Sequence, residues 1–422
     1  MLSKIKISNF KSIINTELNL SYTDKKAPNR YQQSEQIYFL EPTKNARDRL
    51  SPVITLYGAN ASGKSNIIKA LLALWFVVKR GLNNQRELSK LKPLYNKINL
   101  SENGSRVELE FFSNEQSYIY ILEFTAGKIT HEKLVCNTNT LFEIKNSKII
   151  ELSIQSEVND RVFLERLLFE SLDANNQVNT FLTTVNTRLP NLSSETSDVV
   201  DYIDSLIILG DNHLSPSFAL DYLAKSKDDI KLKEALTKIA DVIQKFDIDI
   251  DRFEFNRQDY NPNIAYDGMY LSQNDKKLEL YEIITIHKDV YGNDVKFKLQ
   301  EESAGTQLLF SIIGLLISVL DKGGVLVVDE LDKSLHPSIT KVILEMFKLK
   351  EYNKYNSQLI TTLHTTDILE HYLRTYEASF VNKSLKKGTT INRLSKYESR
   401  HETNFRDRYV FGMYRAKPNT QI

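Results

Sequence analysis

Residues 53–65 read VITLYGANASGKS. The apolar, β-branched run Val53–Tyr57 predicts a buried strand. It enters a glycine-framed loop, Gly58-Ala59-Asn60-Ala61-Ser62-Gly63, that ends on Lys64-Ser65. Beyond Lys64, the residues Ile67, Ile68, Leu71, Leu74, Trp75 and Val78 recur at helical spacing, which predicts a helix with one face laid on a sheet. Strand, G-x-x-x-x-G-K-S loop and amphipathic helix in that order restrict the chain to an α/β fold in which the loop leaves a sheet strand. The spacing also has a chemical logic. Glycines let the backbone curl so that successive N–H groups converge on an anion, and the positive end of the helix lies beneath it. Lys64 adds a point charge for the β and γ phosphates of a nucleotide, and Ser65 adds a hydroxyl ligand for Mg²⁺. The candidate nucleotide-binding residues are therefore Gly58, Asn60, Ser62, Gly63, Lys64 and Ser65. The competing reading is a glycine turn with an incidental lysine, and the flanking strand and helix count against it.

A second constellation stands far along the chain. Gly323-Gly324 introduces Val325-Leu326-Val327-Val328-Asp329-Glu330. Four apolar residues suit a strand buried on both faces, and ligands of a parallel sheet bind at the carboxyl ends of its strands. Asp329 is the candidate to hold a Mg²⁺ shell through water, and Glu330 the candidate to polarise water for in-line attack on a γ phosphate. Alone, an apolar run ending in Asp-Glu also describes an ordinary strand meeting solvent; the phosphate loop gives the pair its weight.

The chain has 422 residues, enough for two or three domains or one domain with a large insertion. Lys and Arg number 55 against 54 Asp and Glu, so no global basic field argues for nucleic acid, and a local patch stays open. The single cysteine, Cys136, excludes a disulfide framework or a cysteine-rich zinc site and fits a reducing, cytoplasmic setting. Met1 to Phe10 alternates apolar and polar residues instead of forming a signal-peptide core. The apolar runs Leu71–Val78 and Ile312–Leu320 are too short to span a bilayer, so no membrane partner is expected.

Ile5, Ile7 and Phe10, then Leu18 and Leu20, predict two strands joined by a turn. Residues 22–50 are polar and read as a surface loop. Alternation from Val107 to Val135 predicts an antiparallel β region. Within 151–280, residues 161–172 and 231–246 look helical, residues 186–197 read as a loop, and strands return at Phe253–Phe255 and Glu282–His287. The last third alternates: helix 305–320, strand 325–328, helix 338–349, strand 357–363, helix 366–374. That pattern predicts a mostly parallel sheet flanked by helices. The expected organisation is residues 1–150 as one half of an ATPase head, 151–280 as a mixed, partly helical insertion, 281–395 as the other half, and 396–422 as a basic tail.

Glu302-Ser303-Ala304-Gly305-Thr306-Gln307 precedes the acidic strand by about one helix length. It resembles the signature motif of ABC-type ATPases, in the divergent form of the RecF, SMC and overcoming-lysogenization-defect-like branch. Asp329-Glu330-Leu331-Asp332-Lys333-Ser334-Leu335-His336-Pro337 resembles that branch's acidic motif and dimer loop. Thr361-Thr362-Leu363-His364 resembles its switch histidine, and Ile7-Ser8-Asn9-Phe10-Lys11-Ser12 its first strand. The resemblance implies an ATP sandwich between two heads, hence a homodimer or higher oligomer. In it Ser303 and Gly305 of one protomer reach the γ phosphate held by the other, and His364 contacts that phosphate. The alternative reading of Ser303 is a helix cap before Leu308–Leu316; both roles use the same free N–H groups. Between Lys79 and Val107, Gln85 is a glutamine-loop candidate by location alone.

Two further stretches, Ile284-Thr285-Ile286-His287-Lys288 and Leu299 to Thr306, are similar to stand-alone bacterial AAA-type ATPases of anti-phage and abortive-infection systems. So are Phe380-Val381-Asn382-Lys383 and Tyr409-Val410-Phe411-Gly412-Met413-Tyr414. That resemblance implies an ATPase working beside a separate effector, often a nuclease. The RecF-like alternative implies direct DNA binding for repair or maintenance. Lys383 to Lys417 holds ten basic and three acidic residues with Tyr397, Phe405, Tyr409, Phe411 and Tyr414 interleaved. Such a stretch either grips nucleic acid or packs its aromatics inward behind a solvated charged face, and the near-neutral whole favours packing.

Overall fold

The computed structural model describes residues 1–22, 35–43, 49–82, 104–125, 127–154, 166, 179–188, 193–210, 215–224, 228–246, 248–261, 269–274, 277–333, 335–397 and 405–414. The expected strands at both ends of the chain assemble into one 13-stranded sheet. Five neighbours in it run parallel: Ala378–Ser384, Val53–Tyr57, Gln358–Thr362, Val325–Val328 and Leu206–Leu209. The last four of these are buried at every residue, as strands covered on both faces must be.

Alternation along these strands sorts their side chains into two cores. Ile54, Leu56, Val325, Val327 and Ile360 pack with Ile67, Leu71 and Leu74 of the helix Lys64–Arg80. Val53, Tyr57, Leu326, Val328 and Leu359 pack on the opposite face with the helices Ala304–Leu320 and Pro337–Lys348. The chain is thus an α/β protein, a mixed sheet between helical layers.

The antiparallel region is continuous with the parallel strands. Gly388–Arg393 joins Ile13–Asn19, followed by Leu2–Phe10, Ser105–Ser113, Gln116–Phe124, Ile129–Cys136, Asn139–Lys145 and Lys148–Leu152. The seam between the two halves is narrow, pairing Gly388 with Ile13 and adding a hydrogen bond from the Thr389 N–H to the Ser12 carbonyl at 2.9 Å.

Residues 151–280 are woven into this frame. Leu206–Leu209 forms the outer parallel strand beside Val325–Val328. Helices Pro216–Leu223 and Asp229–Gln244 lie on Ala304–Leu320, closely enough that a Cβ on Gly314 would sit 3.0 Å from Leu223 Cδ1. A second sheet of four strands contains Arg252–Asp259, Tyr270–Asn274, Lys277–Lys288 and Asp294–Lys298.

Several local expectations change. The Ser/Thr/Asn-rich residues 186–197, expected to be a loop, carry the end of the helix Phe181–Arg188 and the start of Ser194–Asp204. The polar residues act as caps: Ser193 accepts from the Thr196 N–H, and Thr180 Oγ1 from the Thr183 N–H. Small hydroxyl side chains favour caps and loops alike, so composition misleads there. The expected helix 366–374 ends at His371, because the buried Glu377 carboxylate takes the Arg374 N–H at 2.9 Å. In residues 22–50, Ser21–Tyr22 pairs with Arg49–Leu50, and Ile37, Leu40 and Leu50 form a small buried cluster. The expected helix 161–172 lies outside the described residues apart from Arg166. Among the described residues no helix is long and apolar enough to cross a membrane.

Candidate nucleotide site

The loop Gly58 to Ser65 leaves the strand Val53–Tyr57 and opens the helix Lys64–Arg80. Its glycines are required by close neighbours. Gly63 has φ +106, and a Cβ there would lie 2.2 Å from Thr389 Oγ1; at Gly58 a Cβ would lie 2.4 Å from the Val381 carbonyl oxygen. A directed chain of hydrogen bonds then ties the loop to the seam of the sheet. Asn66 Nδ2 donates to Ser12 Oγ at 2.6 Å. The Ser12 and Thr389 hydroxyls are 2.8 Å apart, and Thr389 Oγ1 donates to the Ser62 carbonyl at 3.0 Å. Because Thr389 spends its proton on Ser62, Ser12 supplies the proton between the two hydroxyls.

Lys64 is only 6% exposed, and its Nζ lies back over the loop, donating to the carbonyls of Gly58 at 2.8 Å and Ala59 at 3.3 Å. Burial lowers its pKa, and the carboxylates of Asp329, Glu330 and Asp332 pull it the other way. Three acids distant in sequence therefore converge on this lysine. Among the described residues the buried Ser62 hydroxyl has no hydrogen-bond partner, whereas Asn60 is exposed and Ser65 half-buried.

The acids sit where the parallel strands end. Asp329 follows Val325–Val328 and is buried; its Oδ1 accepts from Thr362 Oγ1 at 2.7 Å. The Glu330 N–H donates to the same Thr362 Oγ1 at 2.6 Å. Thr362, the last residue of Gln358–Thr362, thus aligns both acids from the neighbouring strand. Glu330 is held at φ 53, a left-handed conformation uncommon outside glycine and frequent at functional sites. Its carboxylate lies 3.8 Å from His364 Nε2 and 3.0 Å from Lys333 Nζ.

Asp332 fixes the histidine segment. Its Oδ2 accepts from the N–H groups of His364 and Thr365, both at 2.7 Å, and from Thr365 Oγ1 at 2.8 Å. Thr365 precedes the helix Thr366–His371 without capping it through its own side chain, so Asp332 serves the helix start from across the site. Asp332, Thr362, Thr389, Ser12 and Asn66 hold the candidate groups in place through these bonds, and the sequence motifs assign them no role. Asp332, Thr362 and Ser12 stand inside the motifs read above; Thr389 and Asn66 carry no local signal.

The donors present suit Mg²⁺ bound with a nucleotide. Ser65 and Asp329 offer hard oxygen ligands, and among the described residues no group of three His, Cys, Asp or Glu could hold a metal unaided. Mg²⁺ typically takes one or two protein oxygens and completes its octahedron with water and substrate phosphates.

Ser303 caps the helix Ala304–Leu320, accepting from the Thr306 N–H at 3.1 Å. A Cβ on Gly305 would meet nothing nearer than Ser303 Oγ at 3.6 Å, so the helix start is open. Just before it, Glu302 Oε1 is held by His287 Nε2 at 2.7 Å and by Thr285 Oγ1 at 2.5 Å. Among the described residues, no hydrogen bond or ion pair joins Ser303 or Gly305 to the phosphate loop of the same chain, whereas Lys64, Asp329, Glu330 and His364 come together. His336 caps the helix Pro337–Lys348 through the Ser338 N–H. Gln85 lies outside the described residues. In the basic tail, Tyr409 and Tyr414 stack on Phe380, as the packed reading expects, while Phe411 is 79% exposed.

A family model described as "AAA domain, putative AbiEii toxin, Type IV TA system" matches residues 53–366. No curated protein matches the chain. Among solved structures, the chain is similar to an SMC head domain from Thermotoga maritima at 14% identity and TM-score 0.40, covering 93% of this chain and 98% of that one. It is similar at 13% identity and TM-score 0.46 to an Smc head bound to the C-winged helix domain of ScpA, covering 94% and 98%. An Smc head with an extended coiled coil bound to the C-terminal domain of ScpA, derived from Pyrococcus furiosus, matches at 13% identity and TM-score 0.45, covering 94% and 97%.

Proposed function

The chain belongs to this AAA-domain, AbiEii-like family of P-loop ATPases, and on that premise we propose that it binds and hydrolyses ATP as a dimeric switch. One observation carries the reading: the phosphate loop, the Asp329-Glu330 pair and His364 meet at the carboxyl ends of three adjacent parallel strands, with the acids' field on Lys64. Backbone N–H groups of the loop and Lys64 hold the triphosphate. Ser65 and Asp329 would hold Mg²⁺, which neutralises charge between the β and γ phosphates when bound. Glu330 polarises the attacking water, and His364 contacts the γ phosphate beside it. Ser303 and Gly305, at an open helix start remote from their own loop's hydrogen bonds, complete the site of a second copy.

Such a machine couples a nucleotide state to a partner's conformation. The setting we propose is a cytoplasmic ATPase and sensor in an anti-phage defence system, controlling a separate effector, a nuclease; the resemblance of the quoted stretches carries it, and the family description itself names a putative AbiEii toxin of a type IV TA system. A second reading, a RecF-like DNA-binding repair ATPase, rests on the ten basic residues from Lys383 to Lys417. ATP-dependent DNA binding that weakens with salt favours that second reading.

The test is ATP hydrolysis and sedimentation of wild type beside Lys64→Ala and Glu330→Gln. The switch predicts that Glu330→Gln loses turnover and gains an ATP-dependent dimer, while Lys64→Ala loses both. A wild type that neither hydrolyses ATP nor changes assembly with it overturns the reading.

A further inference from the structure

The hairpin formed by Lys277–Lys288 and Asp294–Lys298 has no role in the chemistry above. Its tip, residues 289–293, is braced by its own hydrogen bonds. Asp289 Oδ1 accepts from the Tyr291 and Asn293 N–H groups, both at 2.8 Å, and Oδ2 from Asn293 Nδ2 at 3.0 Å. The Gly292 N–H closes the turn on the Asp289 carbonyl at 3.0 Å, with φ +85 at Gly292. That framework holds Val290 and Tyr291 out in water, 92% and 87% exposed. Below the tip, Arg252 and Lys288 both close on Asp294, at 2.6 and 2.5 Å. One exposed apolar side chain is ordinary. Two neighbours set on a braced turn are suited to a contact made at low ordering cost.

The root of the hairpin lies beside Ser303. Thr285 and His287 of its first strand hold Glu302, the residue before Ser303, and the His287 ring stands edge-on to Phe297 of its second strand at 5.2 Å and 89°. The hairpin and the start of the helix Ala304–Leu320 are therefore fastened together. A second exposed apolar group, Phe411 and Met413 with the half-exposed Val410, ends the helix Phe405–Val410 and the turn after it. It stands beside the other half of the site. Tyr409 of that helix stacks on Phe380 at 5.5 Å and lies edge-on to Tyr57, the last strand residue before the phosphate loop, at 6.1 Å. In a two-fold pair, residue i of one copy meets residue j of the other, and j meets i. A pair that brings Ser303 of one copy to the phosphate loop of the other also brings the element rooted beside Ser303 toward the element packed beside the loop. We propose that the Val290–Tyr291 tip docks on the Phe411 and Met413 patch of a second copy of this chain, twice in each dimer. Exposed apolar patches mark interaction sites, and tyrosine is enriched among the residues that dominate interfaces. The proposal rests on the dimeric ATPase reading of the site.

The test uses Glu330→Gln as the parent, the form expected to accumulate the ATP-bound dimer. Tyr291→Ser, Phe411→Ser and both together are placed in it, with Ile150→Ser, exposed on the outermost strand Lys148–Leu152, as the reference. Sedimentation with ATP reads the dimer constant, and melting temperature reads the fold. A loss of about fivefold at each of two contacts weakens the dimer about 25-fold in either single variant, at an unchanged melting temperature. The double variant is expected to be no weaker than the singles, because each removes the same contact. Ile150→Ser should match the parent. Cross-linking gives an independent reading, since the native Cys136 is buried. With a short bis-maleimide, Tyr291→Cys mixed with Phe411→Cys should form a covalent dimer with ATP and not without it, and each alone should form none. A parent dimer that neither substitution weakens and that the mixture does not cross-link overturns the contact and leaves the sandwich standing. A covalent dimer of Tyr291→Cys alone would set tip against tip and likewise overturn it. A parent that forms no ATP-dependent dimer overturns the dimeric reading and the contact with it.

Discussion

Replacing Asp332 with alanine tests how His364 is held. One carboxylate oxygen takes three donors, the His364 and Thr365 N–H groups and the Thr365 hydroxyl, at 2.7 to 2.8 Å. A hydrogen bond to a charged group contributes about 1.5–3 kcal/mol when desolvated. His364 is partly solvent-facing, so water replaces part of what its N–H loses, and the net cost of Asp332→Ala is about 2–4 kcal/mol. Asp332→Asn keeps an acceptor oxygen in place and gives up mainly the charge, a cost of about 1 kcal/mol. The functional effect should be larger than the stability effect suggests. Without its anchor the His364 backbone samples positions away from Glu330, now 3.8 Å distant, and misplacement of about 1 Å can cost roughly 100-fold in rate. Urea unfolding and steady-state ATP hydrolysis of both variants are the assays. The expected order in stability and kcat is wild type, then Asn, then Ala, with ATP affinity the least affected quantity. Equal losses for Asn and Ala would show that Asp332 acts through charge alone, and wild-type turnover in Ala would refute the anchoring argument.

Other groups give sharper stability signals. Glu132 is fully buried, accepting from the N–H groups of Phe181 and Leu182 and from the Tyr120 hydroxyl; burial raises its pKa from 4.5 to about 7, those bonds opposing. The folded state then holds a proton that the unfolded state has lost between those values, so stability falls as pH rises through that window, by on the order of 3 kcal/mol. Urea midpoints of Glu132→Gln should lack this slope, and a slope equal to that of wild type would assign it elsewhere. Lys348→Met leaves the buried Glu377 without its partner at 2.6 Å and should cost about 3 kcal/mol, the lower end for a broken buried pair, because Arg374 remains at 3.1 Å; a loss under about 1 kcal/mol would mean that Arg374 suffices. His287→Ala removes one of two anchors of Glu302. It should weaken ATP-dependent dimerisation in sedimentation while monomer ATP affinity holds, and an equal loss of both would place His287 in the site of its own chain.

What was legible in the sequence is what is local. The phosphate loop, the strand Val325–Val328 and the cap of Ala304–Leu320 are contiguous stretches whose chemistry is spelled by neighbours, and each stands where the pattern puts it. The strand Leu206–Leu209 is four apolar residues, too short for periodicity to separate from a helix turn; its membership of the sheet follows from pairing with Val325–Val328, more than a hundred residues away. Residues 186–197 show the same limit in reverse, since serine and threonine write caps and loops with the same letters. Thr362 and Thr389 look like any strand threonine. Only the fold brings one beside Asp329 and the other against Gly63.

That distinction has a consequence for how the site works. In the proposed site the local motif supplies the groups that touch phosphate, while partners from elsewhere in the chain hold them: Thr389, 327 residues on, bonds the Ser62 carbonyl, and Ser12 bonds both Thr389 and Asn66. Both come from the seam where the parallel and antiparallel halves meet through Gly388 and Ile13. A sheet is stiff along its paired strands and weakest where pairing is thinnest. The loop is therefore built across the least constrained line of the sheet and laced to both sides of it. A phosphate drawing the loop's N–H groups inward pulls on Thr389 from one half and on Ser12 from the other. On the ATPase function proposed above, that lacing would carry the nucleotide state from the glycines of the loop into both halves of the sheet.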